Sequence, residues 1–128
     1  TSVRRPGGSG FQPYSPRRLA AGTTYRGHYL CSQGDTAMTL QIEEVLRNGQ
    51  VRGIFSFHHE PSGAQGSFTV EGSLSSAGEV VFEPVEWISR PPRYVAVPFR
   101  LLFSEDGQHA KGGVLHPSCG EMEAFRAD

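Results

Sequence analysis

An all-β fold is expected from this chain: one antiparallel meander of about eight strands, closed or nearly closed into a barrel, with a β-sandwich as the alternative. Three observations point there. From Thr23 onward apolar and polar residues alternate with period two. Turn-forming clusters interrupt the alternation about every 10–14 residues, with no helical stripe between them. Cys31 ends the first alternating run and Cys119 opens the last.

Residues 1–22 read as an irregular basic arm and residues 23–128 as the barrel domain. The arm carries Pro6, Pro13, Pro16 and several glycines, which rule out regular helix or central strand. Phe11 and Tyr14 are its expected anchors against a surface groove. Ser15–Gly22 reads as one helical turn, Pro16 opening it and Gly22 near its end.

The strands follow in order. Tyr25, Gly27, Tyr29 and Cys31 alternate with Thr24, Arg26, His28 and Leu30. Met38, Leu40 and Ile42 mark the next core face. Glu43–Arg47 has helical propensity, but Asn48-Gly49 behind it signals a hairpin, so the segment is read as strand. Val51, Gly53, Phe55 and Phe57 share a face, as do Phe68, Val70, Gly72 and Leu74, which a Ser-Ser-Ala-Gly turn closes. Val81, Glu83, Val85 and Trp87 are placed opposite Val80 and Phe82. Val95, Val97, Phe99, Leu101 and Phe103 form the clearest alternation. A turn at residues 105–108 leads to Ala110, Gly112 and Val114, and Cys119–Arg126 is last. The recurring mid-strand glycines, Gly27, Gly53, Gly72 and Gly112, suggest sharp coiling or close backbone approach. In a closed meander the first and last strands are neighbours, so a Cys31–Cys119 disulfide would staple the closure. The alternative is two buried free thiols. A disulfide would favour a secreted or otherwise oxidising compartment.

The composition is 37% hydrophobic and 20% charged, which suits a globular chain. No apolar run approaches the roughly 20 residues of a membrane span. The chain opens on Thr1, not Met, so a trimmed protein or a piece of a longer one is expected. The net charge of −1 hides an asymmetry. Arg4, Arg5, Arg17, Arg18 and Arg26 face no acid within residues 1–27, while seven basic and thirteen acidic residues leave the remainder at −6. The arm is therefore expected to fold back on the body or to reach an acidic partner.

Motifs for catalysis are absent: there is no Gly-x-Ser-x-Gly elbow, no phosphate-binding glycine loop and no Cys-x-x-Cys. His58-His59-Glu60 resembles a metal cluster, but adjacent strand residues point to opposite faces, so we read it as a polar strand end. No catalytic residue, metal or cofactor is assigned. Nucleic-acid binding would rest on Arg4, Arg5, Arg17 and Arg18 beside Phe11 and Tyr14, and the acidic body argues against it. The most distinctive segment is Val85–Tyr94, with the only tryptophan ahead of Pro91-Pro92. Trp87, Arg90 and Tyr94 read either as an aromatic rim at a barrel mouth, suited to a small apolar molecule or peptide, or as a core tryptophan beneath a stiff loop.

The string Tyr25-x-Gly27-x-Tyr29-x-Cys31-x-Gln33-Gly34-x-Thr36, then Trp87-Ile88-x-x-Pro91-Pro92-x-Tyr94-x-x-Val97 and finally Cys119, resembles small two-cysteine β domains of unassigned function in multidomain, largely bacterial, proteins. The resemblance covers residues 23–126 and implies one recurring module, without activity or site residues. The leading expectation is a non-catalytic binding or interaction module for a protein partner or small ligand. Candidate contacts are Trp87, Arg90, Tyr94, Phe11, Tyr14, Arg17 and Arg18. The competing class is an accessory subunit held in an assembly by its arm, and a small hydrolase-like or metal-dependent enzyme is the minor alternative. Phe55, Phe57, Phe68, Val97, Phe99, Leu101 and Phe103 are expected to fill the interior, leaving no roomy cup.

Overall fold

The computed structural model describes residues 19–127. Eight antiparallel strands follow one another around a closed barrel: β1 (Thr24–Cys31), β2 (Gly34–Val45), β3 (Gln50–His59), β4 (Ala64–Ser73), β5 (Glu79–Ser89), β6 (Phe99–Phe103), β7 (His109–Val114) and β8 (Glu121–Arg126). Closure is made by β1 against β8, in register from Tyr25 opposite Arg126 to Tyr29 opposite Met122. The sandwich alternative is thereby excluded, because no sheet edge is left among the described strands. Among these residues no helix is long and apolar enough to cross a membrane.

Period two sends alternate side chains inward. Tyr25, Leu40, Ile42, Val51, Phe55, Val70, Val80, Phe82, Phe99, Leu101, Phe103, Met122 and Ala124 are all buried in one core. The hairpin after β2 is the one foreseen at Asn48-Gly49, but of the three-residue kind. The Gly49 amide donates to Leu46 O at 2.9 Å, with Gly49 at φ +89°. Gly78 and Gly107 repeat the device at φ +92° and +72°, each bonding back three residues. A left-handed residue after the turn matches the twist of the flanking strands, and glycine takes it without a Cβ clash.

The mid-strand glycines mark close backbone approach, as expected. A Cβ on Gly27 would collide with Glu123 O and sit 2.6 Å from Ala124 Cα, both on β8. One on Gly53 would lie 2.6 Å from Gln41 O, and those on Gly72 and Gly112 would collide with Val81 O and Arg100 O. Each glycine thus lets a neighbouring strand's carbonyl cross the place where a side chain would stand. That is how eight strands coil tightly enough to close.

Two expectations are corrected. The last long alternation does not run from Val95 to Phe103: β6 starts at Phe99, and Val95 is 73% exposed. Pro98 has no amide to offer a ladder, so residues 90–98 form an irregular crossing instead. Trp87 does not share a face with Val81 and Val85, which point to solvent. Register shifts where β4 meets β5 insert extra β5 residues, turning Trp87 inward opposite Phe68.

Since β1 runs towards Cys31, the connections 31–34, 59–64, 89–99 and 114–121 gather at one end of the barrel. The other end is packed shut. Leu19, 1% exposed, lies just ahead of β1, and the Tyr25 hydroxyl donates to Gly107 O at 2.7 Å.

Candidate functional site

At the end where Cys31 lies, the interior opens into a cavity of about 300 Å³. Its floor and walls are aromatic: Tyr29, Phe55, Phe57, Phe68, Tyr94 and Phe99, completed by Val97, Val114 and Met122. Its rim comes from three of the four connections, through Ser32 and Gln33, Arg93–Val95, and His116 with Ser118 and Cys119. The interior is therefore filled at one end and hollow at the other. The expectation that Phe55, Phe57, Phe68, Val97, Phe99, Leu101 and Phe103 leave no roomy cup holds for Leu101 and Phe103, packed with Tyr25 and Phe82, and fails above Phe55, because β6 begins only at Phe99 and the 90–98 crossing spans the gap.

The rings are mutually supported. Phe55 lies 4.7 Å from Phe99, 5.3 Å from Phe68 and 5.9 Å from Tyr29 between centroids. Tyr94 stacks on Phe57 at 5.2 Å with an 18° interplanar angle. Trp87 stands behind this wall, edge-on to Phe68 at 5.2 Å and to Phe57 at 6.3 Å. Arg90 places its guanidinium 5.8 Å above the Trp87 ring and donates from Nε to Tyr94 O at 2.9 Å. Of the three candidates on this segment, only Tyr94 lines the cavity. Trp87 and Arg90 brace it from outside, Arg90 tying the tryptophan to the crossing.

Arg93 was not foreseen. Pro91-Pro92-Arg93-Tyr94 is a turn closed by the Tyr94 amide donating to Pro91 O at 3.3 Å. Arg93 sits at its third position with φ +68°, the only non-glycine residue at positive φ among those described. Proline at the second position of such a turn is ordinary, but the third normally takes glycine or asparagine. An arginine there costs about 1–2 kcal/mol. Pro92 was a signal for the turn; nothing in the residue types announced that an arginine would take the left-handed place.

The polar groups of the rim are organised. Ser118 N–H donates to His116 Nδ1 at 3.1 Å, and the Ser118 hydroxyl lies 2.7 Å from the same atom. A backbone amide can only donate, so Nδ1 holds its lone pair and the imidazole proton resides on Nε2. Gln33 Nε2 donates to Thr36 Oγ1 at 3.1 Å, and Thr36 Oγ1 to Gly34 O at 3.3 Å. Burial, seconded by neighbouring Tyr94, raises the Tyr29 phenol well above its ordinary range, against a smaller opposing effect from its hydrogen bond with Thr36. Tyr29 is thus a neutral hydroxyl deep in the cavity.

Cys31 and Cys119 meet at disulfide distance across the closure, where the expected staple would sit, and both line the cavity. His58 is exposed while His59 is buried, its Nδ1 2.6 Å from Ser62 Oγ. Among the described residues no three His, Cys, Asp or Glu side chains converge as metal ligands. Phe11, Tyr14, Arg17 and Arg18, with Arg4 and Arg5, lie outside the described residues. Of the expected helical turn at Ser15–Gly22, residues 15–18 lie outside the described residues, and its end leads into a single turn closed by Thr23 N–H donating to Ala20 O.

Comparison with protein-family models and with curated proteins finds no match. The likeness to two-cysteine β domains therefore rests on the residues quoted for it.

Proposed function

We propose that this domain is a non-catalytic binding module that holds one small, largely apolar ligand in the cavity at the disulfide end of the barrel. The observation that carries this reading is the half-filled interior: six aromatic rings converge on about 300 Å³ of open space. Cavities that bury small ligands start near about 300 Å³ and are mostly apolar with a few placed polar groups. The volume suits a ligand of one to three rings. The wall needs little ordering on binding, because Phe57, Phe68, Trp87 and Tyr94 already hold one another.

The test is titration with N-phenyl-1-naphthylamine, whose fluorescence rises in an apolar site. The folded domain is expected to give a saturable one-to-one enhancement, and Val97→Phe, which fills the cavity, to abolish it without loss of β-sheet circular dichroism. No enhancement, or equal enhancement in the filled variant, rules the reading out.

An interaction role has one observation in its favour. Leu30, Val95 and Leu115 are 51%, 73% and 47% exposed at this same end. They fit an apolar partner segment laid over the mouth, which would compete with the dye.

A further inference from the structure

We infer that the ligand is an anion: an aromatic or aliphatic ring compound bearing a carboxylate or similar acidic group, held head-outward at Arg93. The inference rests on the cavity reading above and adds the ligand's charge. Its basis is the charge of the lining. Among the described residues Arg93 is the one in the lining with a fixed charge, and neither Asp nor Glu contributes to floor, wall or rim. This stands out in a chain whose residues from 28 onward carry thirteen acids against seven bases. Carboxylates stand on the outer sheet surface, at Glu44, Glu71, Glu79 and Glu123, and those at the open end, Asp35, Glu60 and Glu121, lie outside the cavity lining.

The remaining polar groups at the mouth agree with that sign. His116 turns a lone pair to Ser118 and so keeps an N–H on Nε2 for a ligand acceptor. Gln33, with one amide hydrogen committed to Thr36, has a second to give. A guanidinium and two neutral N–H groups around an aromatic pocket match a carboxylate head on a ring body. The backbone supplies an independent observation. A strained φ of +68° is kept at arginine, in a position where glycine or asparagine would sit more easily. Backbone strain of this kind clusters at ligand-binding sites, and here it falls on a residue of the cavity rim.

The experiment uses three probes of one shape: 2-naphthoate, neutral 2-naphthamide and cationic 2-(aminomethyl)naphthalene, measured by titration calorimetry. The domain is expected to bind naphthoate about tenfold tighter than naphthamide, with the cation weakest. Arg93→Asn, which tolerates the turn, is expected to lose about tenfold for naphthoate and to leave naphthamide within twofold, at an unchanged or raised melting temperature. Arg93→Lys is expected to keep most of the preference. Equal affinity for naphthoate and naphthamide, or a preference that survives Arg93→Asn, overturns the anion inference and leaves the cavity reading standing. Failure of all three probes to bind overturns both.

Discussion

Replacing Gly27 by alanine tests how tightly the barrel is closed. The added methyl would run into Glu123 O and lie 2.6 Å from Ala124 Cα. The obstacle is backbone, so no rotamer change relieves it, and β8 has to retreat by more than about 1 Å to restore ordinary contact. Retreat strains the ladder that joins Tyr25–Tyr29 to Met122–Arg126. Overpacking alone costs about 1–3 kcal/mol, and each weakened ladder bond adds up to about 1 kcal/mol. We expect a loss of about 3 kcal/mol in urea denaturation, or on the order of 10 °C in melting temperature. Gly63→Ala is the control. Gly63 has φ +75° with nothing within 4 Å of its added Cβ, so it carries only the conformational cost of about 1 kcal/mol. Hydrogen exchange should locate the Gly27→Ala damage at Tyr25–Tyr29 and Met122–Arg126. A Gly27→Ala cost no larger than that of Gly63→Ala would refute the close β1–β8 approach and the tight coiling deduced from it.

Two further outcomes are expected. Removing the disulfide by Cys31→Ser with Cys119→Ser frees a loop spanning 88 residues in sequence. The chain-entropy model sets the loss at about 4–5 kcal/mol in denaturant unfolding, and the β1–β8 ladder should still close the barrel. Tyr29 makes stability fall in alkali. Its folded-state phenol titrates above the ordinary value of 10.0, so its contribution is complete below that pH and is lost as pH rises beyond it. Tyr29→Phe should remove up to about 1.4 kcal/mol per pH unit from the alkaline slope, measured by urea unfolding at stepped pH.

Much of the architecture was readable from residue types because it rests on local rules. Alternation at Val51–Phe57 and Phe68–Leu74 sets which face is buried, and one-residue errors there would expose a whole core face. The closing strands were legible through Cys31 and Cys119, and the coiling through Gly27, Gly53, Gly72 and Gly112, since only a missing side chain admits a neighbour's carbonyl. What escaped was set by pairing between strands. The extra residues of β5 that turn Trp87 inward have no signature in their own composition. The late start of β6 traces to Pro98, visible in the sequence yet overridden by an alternation that looked continuous. The cavity follows from that late start, so it was hidden for the same reason. Of the candidate contacts, Tyr94 reached the site through the turn that Pro91 and Pro92 impose. Arg93 was missed because its conformation contradicts its preference.

The site itself is tested most directly by methyl-resolved NMR during titration with N-phenyl-1-naphthylamine. Saturable shifts are expected at Met122, Val97 and Val114 around the open end, with Leu19, Ile42 and Val51 at the packed end unmoved. Shifts confined to the outer-face residues Val81, Val85 and Leu102, or spread without saturation over the whole domain, would contradict a ligand site inside the barrel mouth.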